Sequence, residues 1–411
     1  MEGPRGIRPD ELSSVIQLAN KVFRGQGGSM GMGFEFPILY REENLENLRV
    51  IVEDGKPVSL IGIWEQKILV YGHQITAGCI GSVCTDPDYR GRGYATILLQ
   101  DVMKKLYRDG MDIMLVSGGR GLYLRHQCVP AGVFRAYMVD SEESRAIEEV
   151  TADVRGIELE KFSEENFEDF ARIHRAEPVR HYRPYSDFKK LIWRYEGQKR
   201  MFGHEYAFVV RDDGESLAYL ILRDQRNPQS GDTAPTMLLE YGGQRDAALK
   251  GIAFFAKQVK PGPVTMAIPG HDLEMHHILH RAGMKGSPTT LPGHTLRVIN
   301  FPALFKKLMP FFEEMLPGEE FSALRAWDEP VAGGFGDDSA DDEFKQLFGV
   351  SHIIEFSGER IQFDDGALTR LIFGCTQDNA TREANLAVEG EPAILSKIFP
   401  LPLPLPGLNY V

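Results

Sequence analysis

Cysteine is scarce in this chain of 411 residues. Cys79, Cys84, Cys128 and Cys375 show no paired short spacing, so the sequence predicts neither a disulfide framework nor a zinc knuckle. A chain without these features fits a reducing compartment, and we expect it in the cytoplasm.

Long apolar runs are also lacking. No apolar stretch is long enough to span a bilayer, and the initial segment MEGPRGIRPDELSSVIQLANKVFR lacks the basic start and apolar centre of a secretory leader. We therefore expect no membrane among the partners of this protein.

Basic residues are outnumbered, with 46 Lys and Arg against 59 Asp and Glu, which gives a formal net charge of −13. This balance disfavours nucleic acid as a partner and favours cationic substrates through long-range attraction. A second interpretation, that the acidity only maintains solubility, explains the charge equally well. The 43% hydrophobic and 26% charged fractions are typical of a folded globular protein, and domains of roughly 100–200 residues predict two to four of them.

Patterning along the chain divides it into three blocks, residues 1–150, 151–298 and 299–411. The first begins with a helix whose apolar positions run from Leu12 to Phe23, with Asp10 as its cap. A glycine-rich loop and three strand-like runs follow, and then a helix over about 94–107. The strand DIMLVS, a short helix GLYLRHQ and a closing strand GVFRAYMV complete the block.

The second block repeats this order faintly, which suggests an internal duplication. Its strand TMLLEYGG leads into the helix DAALKGIAFFAKQV, a further strand and the helix DLEMHHILHRAGM. The third block contains two strands around a Ser-Gly turn, HIIEFSGERIQFDDG, and a helix that Gly374 ends. It finishes in alternating Pro and Leu followed by GLNYV.

The strongest motif lies in the first block, where an apolar strand passes through Pro87 directly into an amphipathic helix. The residues that carry it are Val83, Cys84, Thr85, Arg90, Gly91, Arg92, Gly93, Tyr94 and Ala95. A loop at this place directs unpaired backbone amides to one point at the positive end of the helix dipole, which predicts an anion site. The two glycines allow close approach, and the two arginines add charge for phosphate. The spacing excludes a nucleotide P-loop and a dinucleotide-binding loop.

The order Arg90-x-x-Gly93-x-Ala95 after a strand and a proline resembles the acetyl-CoA pyrophosphate loop of GNAT superfamily N-acetyltransferases. The element order over residues 1 to about 140 is similar to that fold. The three blocks together resemble the enhanced-intracellular-survival type, which has an intact acetyltransferase domain, a degenerate second one and a sterol-carrier-like C-terminal domain. The resemblance implies an α/β (α+β) protein with tandem mixed-sheet domains followed by an α+β domain.

The same resemblance implies acetyl-CoA as co-substrate, no metal, and a homo-oligomer, specifically a hexamer. It implies that residues 83–85 hold the pantetheine arm and that an amide there contacts the thioester carbonyl. The second block departs from the motif, because its loop LEYGGQRDAALKG lacks the later glycines and places Asp246 where phosphate would lie. That block is expected to bind no CoA.

Two catalytic residues follow from the resemblance. Tyr123 occupies the position where these enzymes usually place a tyrosine whose hydroxyl reaches the thioester sulfur, so we predict it to be the general acid. The Phe-Gly that often follows in the family is absent here, which leaves His126 as a rival acid or base. The terminal carboxylate of Val411 is expected to return to the active site of the first domain and help deprotonate the acceptor amine.

The sequence offers weaker support for a functional role of several other residues. His276 and His280 have the spacing of a metal pair but lack the His-Glu-x-x-His order, so no metal is predicted. Cys84 has no His-Asp pattern nearby and is expected to be a small buried residue. Trp193 and Tyr195 are expected in the core, and the acidic run GFGDDSADDEF as a solvated loop.

These inferences combine into an acetyl-CoA-dependent N-acetyltransferase that acts on a primary amine of a cationic acceptor. The acceptor could be an aminoglycoside-like compound, a polyamine or a lysine side chain, and residues 25–33 would border its site as a mobile lid. The alternative is a non-catalytic binding protein whose sterol-carrier-like block holds an apolar ligand or a partner. The intact Arg90 to Ala95 loop favours the enzyme.

Overall fold

The computed structural model describes residues 1–25, 31–154, 156–193, 199–200, 203–224, 234–331, 340–375 and 394–410. The strands are β1 Glu2–Gly6, β2 Leu48–Glu53, β3 Lys56–Val70, β4 His73–Thr85, β5 Ile113–Ser117, β6 Phe134–Val139, β7 Glu158–Lys161, β8 Val179–His181, β9 Lys199–Arg200, β10 Gly203–Asp212, β11 Glu215–Asp224, β12 Thr236–Gly243, β13 Val264–Pro269, β14 Ser287–Thr289, β15 His294–Val298, β16 Arg325–Pro330, β17 Val350–Phe356 and β18 Glu359–Phe363. The α-helices are α1 Leu12–Phe23, α2 Met32–Glu35, α3 Tyr94–Arg108, α4 Gly121–Arg125, α5 Ser141–Val150, α6 Phe167–Ala176, α7 Tyr185–Trp193, α8 Arg245–Phe254, α9 Leu273–Arg281, α10 Phe301–Met315, α11 Gly318–Ala323, α12 Asp342–Phe348, α13 Asp365–Phe373 and α14 Leu395–Ile398.

The described chain packs into two compact units, and the first consists of residues 1–132 and 293–401. Its main sheet has the order β1-β2-β3-β4-β5-β15. Neighbouring strands are antiparallel except β4 and β5, which are parallel. The mixed α/β class predicted from the sequence is confirmed.

Helix α3 covers the centre of this sheet because one of its faces is apolar. Leu98, Leu99, Val102 and Leu106 are fully buried in a hydrophobic core of the unit. Gly78 on β4 permits the close approach, since a Cβ there would collide with the side chain of Leu106. Helix α1 forms where the apolar periodicity predicted it, but Asp10 does not cap it, because a 3₁₀ turn over Pro9–Glu11 comes first.

The second unit consists of residues 133–292 and 402–410. Its sheet has the order β14-β6-β13-β12-β11-β10-β7, in which only β12 and β13 among these neighbours run parallel. As in the first unit, a helix connects the two parallel strands: α3 joins β4 to β5, and α8 joins β12 to β13. The repeated order seen in the sequence therefore corresponds to a repeated sheet plan.

Two strands are exchanged relative to chain order. The sequence placed the strand GVFRAYMV at the close of the first block, but β6 pairs with β13 in the second unit, with Val139 opposite Val264. The strand that follows β5 in the first sheet is instead β15, with Val298 opposite Ile113. Strand β6, from the first block of the sequence, thus belongs to the sheet of the second unit. Strand β15, from the second block, belongs to the sheet of the first unit.

The last block contributes a small antiparallel sheet, β16-β17-β18, to the first unit. The Ser357-Gly358 turn joins β17 to β18 with positive φ at both residues, as the Ser-Gly pattern predicted. Helix α13 ends before Gly374, which has φ +83°.

A buried charged cluster joins this block to the first sheet within the unit. Arg297 on β15 has no exposed surface and lies 2.8 Å from Asp365 on α13. Asp365 also lies 3.1 Å from His352 on β17, whose Nδ1 is 2.7 Å from Asp328 on β16. Burial lowers the pKa of His352, but the hydrogen bonds to Asp328 and Asp365 outweigh it and raise that pKa to about 9.

Because the folded-state pKa of His352 exceeds its ordinary value of about 6.5, its protonation stabilises the fold fully below that value. The contribution is lost as pH rises through about 9. When the pH is raised from neutral to above about 9, the unmodified protein should therefore lose more thermal stability than the variant His352→Gln. Thermal unfolding midpoints measured across this window test the prediction, with the exposed His277→Gln as control. Parallel curves for the protein and the His352 variant would contradict it.

Candidate functional site

The loop between β4 and α3 is the feature on which the site is built. Gly91 and Gly93 have φ of +78° and +79°, a left-handed conformation that glycine adopts without strain. A Cβ added at either glycine would meet no atom within 4 Å, so the backbone faces open space. Gly93 is the residue that caps α3, and its carbonyl accepts from the amide of Thr96 at 3.0 Å.

The start of α3 supplies the positive end of a helix dipole. The first amides of a helix, here those of Tyr94 and Ala95, have no acceptor inside the helix and point away from it. Arg90 and Arg92 are exposed beside this end. Arg90 donates from Nε to the carbonyl of Thr85 at 3.3 Å, and the Arg92 guanidinium lies 4.8 Å from the ring centroid of Tyr89. The arrangement can hold a phosphate-bearing group.

Strands β4 and β5 separate next to this loop. Their parallel pairing runs from Ala77 opposite Ile113 to Ile80 opposite Val116, whereas β4 continues to Thr85. Ser82 has φ +53°, which marks a local irregularity at the point of separation. Within the described chain, no strand pairs with the β5-facing edge of β4 beyond Ile80. An extended ligand with amide groups can hydrogen-bond to such an edge as an added strand does.

A cleft of about 500 Å³ lies between these elements. All the cofactor-binding residues predicted from the sequence, 83–85 and 90–95, line it. Tyr123 also lines it, as do Val22 and Phe23 at the end of α1. The structure therefore brings the predicted cofactor residues and one predicted catalytic residue to a single cavity.

Tyr123 lies on the short helix α4 and is only 3% exposed. Burial raises the pKa of its phenol to about 12, while nearby Arg120 opposes that shift. The hydroxyl therefore carries its proton at neutral pH and is chemically able to donate it.

His126, the rival acid or base, follows α4 but is not among the described residues that line the cleft. Its Nδ1 lies 2.9 Å from the carbonyl of Leu122, and its ring meets Phe344 edge-on in the core. Cys84 does line the cleft, but burial raises the pKa of its thiol to about 12, so the nucleophilic thiolate is disfavoured at neutral pH.

Two contacts that hold the loop were not visible in the sequence. Lys21 on α1 donates to both oxygens of Asp86, at 2.9 and 2.8 Å, and this hydrogen bond lowers the pKa of Asp86. Tyr94 donates from its hydroxyl to Glu53 on β2 at 2.5 Å. The partners are 65 and 41 residues apart in the chain, so no local pattern could have paired them.

The remaining sequence candidates are placed as follows. His276 has both ring nitrogens engaged, Nδ1 with the Tyr137 hydroxyl at 2.9 Å and Nε2 with the Pro269 carbonyl at 3.0 Å. Among the described residues, no three or more His, Cys, Asp or Glu side chains are arranged so that they could hold a metal ion. Val411, Tyr195, residues 26–30 of the glycine-rich segment and residues 332–339 of the acidic run lie outside the described residues. Among the helices described, none is both long and apolar enough to cross a membrane.

Comparison with solved structures gives matches over nearly the whole chain. A GCN5-related N-acetyltransferase from Kribbella flavida is 17% identical, with a TM-score of 0.60, over 99% of this chain and 97% of that one. A GCN5-related N-acetyltransferase from Anabaena variabilis ATCC 29413 is 15% identical, with a TM-score of 0.61, over 97% of both chains. Eis1 from Mycobacterium abscessus is 13% identical, with a TM-score of 0.60, over 97% of this chain and 96% of that one.

At these identities the likeness concerns the fold alone. A search of curated protein sequences found no match. The family model of the acetyltransferase (GNAT) domain does match, over residues 4–125, which span the loop, the cleft and Tyr123. The chain therefore carries, in its first unit, a segment that matches the acetyltransferase (GNAT) domain, within a fold shared with GCN5-related N-acetyltransferase structures.

Proposed function

We propose that this protein is an acetyl-CoA-dependent N-acetyltransferase that acetylates a primary amine of a cationic acceptor. The observation that carries the proposal is the single cleft in which the glycine loop, the separated edge of β4 and Tyr123 meet. The family match over residues 4–125 and the likeness of fold support acyl transfer in general. Acetyl-CoA as donor and the class of acceptor belong to the proposal.

Each part of the cleft has a role in the reaction. The amides of 91–95 with Arg90 and Arg92 hold the CoA pyrophosphate, and the β4 edge near Val83 and Thr85 holds the pantetheine arm. A β4 amide stabilises the oxyanion that forms when the neutral amine attacks the thioester carbonyl. The new N–C bond forms, the C–S bond breaks, and Tyr123 gives its proton to the departing thiolate. The proton lost by the amine goes to the base proposed below.

Charge supports the acceptor class. The net charge of −13 favours approach of a cation, which fits an aminoglycoside-like compound, a polyamine or a lysine side chain. A homo-oligomer, a hexamer by the resemblance, and a cytoplasmic location complete the proposal.

The alternative function is a binding protein whose last block holds an apolar ligand or a partner, and whose cleft at the glycine loop is inactive. Calorimetric titration with acetyl-CoA separates the two. Saturable binding of a single acetyl-CoA per chain, with release of thiol when amine acceptors are added, supports the enzyme. Heat without saturation would leave only the binding protein.

The variant Gly93→Asp tests the loop. Its carboxylate would face the pyrophosphate, so the acetyl-CoA KM should rise roughly tenfold or more, since like charges in contact cost several kcal/mol. Gly110→Asp is the matched control, because Gly110 also has positive φ, +71°, and open space around it but does not line the cleft. Equal KM values for the two variants would show that the loop is not the cofactor site.

The variant Tyr123→Phe tests the general acid. It removes one hydroxyl and little volume, so acetyl-CoA should still bind while kcat falls roughly 100-fold. Tyr107→Phe on α3 is the control, since Tyr107 packs against the same core without lining the cleft. Turnover near that of the unmodified protein would assign proton donation to His126 or to water.

The C-terminal tail is the proposed source of the base. The described part of the tail is well anchored: Leu401, Leu403, Leu405 and Leu408 are buried. In the second unit, Glu240 accepts from the Leu408 amide at 2.9 Å, and Arg183 donates to Asn409 at 2.6 Å. A terminal carboxyl has a pKa of about 3.5 and an alkyl ammonium one of about 10. The carboxylate of Val411 would therefore first attract the ammonium and then take its proton through water.

Deletion of Tyr410 and Val411, or a short polar tag after Val411, should abolish acetyl transfer with little change in acetyl-CoA binding or thermal stability. The control Val411→Leu keeps an apolar residue with a free terminal carboxylate and should remain active. Initial rates of thiol release and acetyl-CoA titrations measure both effects. Normal turnover by the tagged protein would show that the terminal carboxylate is not the base and that the tail serves only in packing.

A further inference from the structure

The second unit contains a counterpart of the anion loop. The chain passes from Gly243, the last residue of β12, through Gln244 into α8, a helix of ten residues that connects two parallel strands as α3 does. Gly243 has φ +94°, but here the space is filled: a Cβ would collide with the carbonyl of Leu217. The backbone at this loop therefore packs against the chain, whereas Gly91 and Gly93 face open space.

The N–H groups at this loop that could bind an anion are already hydrogen-bonded to a carboxylate of the same chain. The Glu177 carboxylate accepts from the Gly243 amide at 2.7 Å and from both terminal nitrogens of Arg245 at 2.8 Å. A backbone amide at the end of β12, combined with a bidentate arginine that opens α8, gives a set of donors suited to oxyanions such as phosphate. The sequence pointed to Asp246 as the negative charge at this place, but the carboxylate on the donors is that of Glu177.

The position of Glu177 explains how it reaches the loop. It directly follows α6, which precedes the antiparallel strands β10, β11 and β12 as α1 precedes β2, β3 and β4. In the first unit, the corresponding helix α1 ends in Val22 and Phe23, which line the cleft of about 500 Å³. The cavity that Glu177 lines in the second unit measures only about 50 Å³. An apolar helix end thus borders an open cleft in one unit, and a carboxylate at the helix end fills the space in the other.

Further contacts fix Arg245 in this arrangement. Its Nε lies 2.8 Å from Asp272, which also accepts from the Tyr241 hydroxyl at 2.6 Å. The side chains of Glu177 and Arg245 are 13% and 14% exposed. Arg180 and His271 line the same small cavity, and burial lowers the pKa of His271 to about 4, so that it is neutral at pH 7.

We propose that the second unit is a self-liganded oxyanion site, in which Glu177 stands as an intramolecular ligand where a phosphate or carboxylate would bind. Glu177 excludes phosphate-bearing ligands from this loop and holds the start of α8 against the end of α6. Its removal exposes a site for a small oxyanion, acetate or inorganic phosphate. This inference depends on contacts within the second unit and not on the function proposed for the first.

Rescue by added anions tests the proposal. Glu177→Ala is made in a Gly93→Asp background, so that binding at the first loop is suppressed in every protein compared. The variant should unfold at a lower temperature than its parent, because Arg245 loses a close partner. Sodium acetate and sodium phosphate should restore about half or more of that loss in a saturable way, while sodium chloride at equal ionic strength should not.

Glu160→Ala in the same background is the matched control. It removes a carboxylate from Arg211 on β10, an ion pair that involves no helix start. If acetate and phosphate stabilise this control as much as the Glu177 variant, or if neither variant responds saturably, Glu177 is an ordinary ion-pair partner and the proposal is overturned.

If Glu177→Ala does not fold, calorimetric titration of Glu177→Gln with inorganic phosphate replaces the rescue measurement. This variant keeps the side-chain volume and removes the charge, so phosphate can displace the neutral amide. Saturable phosphate binding that the parent lacks supports the proposal, and its absence overturns it.

Discussion

The candidate site depends on the point at which β4 and β5 stop pairing. As far as Ile80 and Val116 the two strands satisfy each other's backbone groups. Beyond that point the sheet opens, and the groups on the edge of β4 need a partner from a ligand or from water. The glycine loop lies at the far end of the same strand, so one strand delivers both the edge and the amides. Side chains then refine a cleft that the backbone has created.

The two units share a sheet plan, but differences at the loop before the connecting helix leave the site open in the first unit and filled in the second. Both connect their parallel strands through a loop and a helix. In the first unit the loop glycines face space, and the adjoining helix ends in apolar side chains. In the second unit Gly243 packs against backbone, and Glu177 takes the donors. A carboxylate held by its own chain binds without the entropic cost of capturing a free ligand.

Local patterns predicted much of the architecture. The apolar periodicity of α1 and α3, the Ser-Gly turn after β17 and the stop at Gly374 all follow from nearby residues, and the structure has each of them. The loop at 90–95 was identified for the same reason, because its glycines, its arginines and the following helix are contiguous. The prediction that Asp10 caps α1 was wrong, because Asp10 lies within a 3₁₀ turn that precedes the helix.

The sequence by itself determined helices α1 and α3, the Ser-Gly turn and the position of the glycine loop, because these depend on residues within a few positions of one another. Only the tertiary structure decided the pairing of β6 with β13 and of β15 with β5, since an apolar strand pattern does not specify its neighbour. It also decided the partners of Asp86, Glu53 and Glu177. Those contacts join residues many positions apart, and they exist only after hydrophobic burial has brought the strands and helices together.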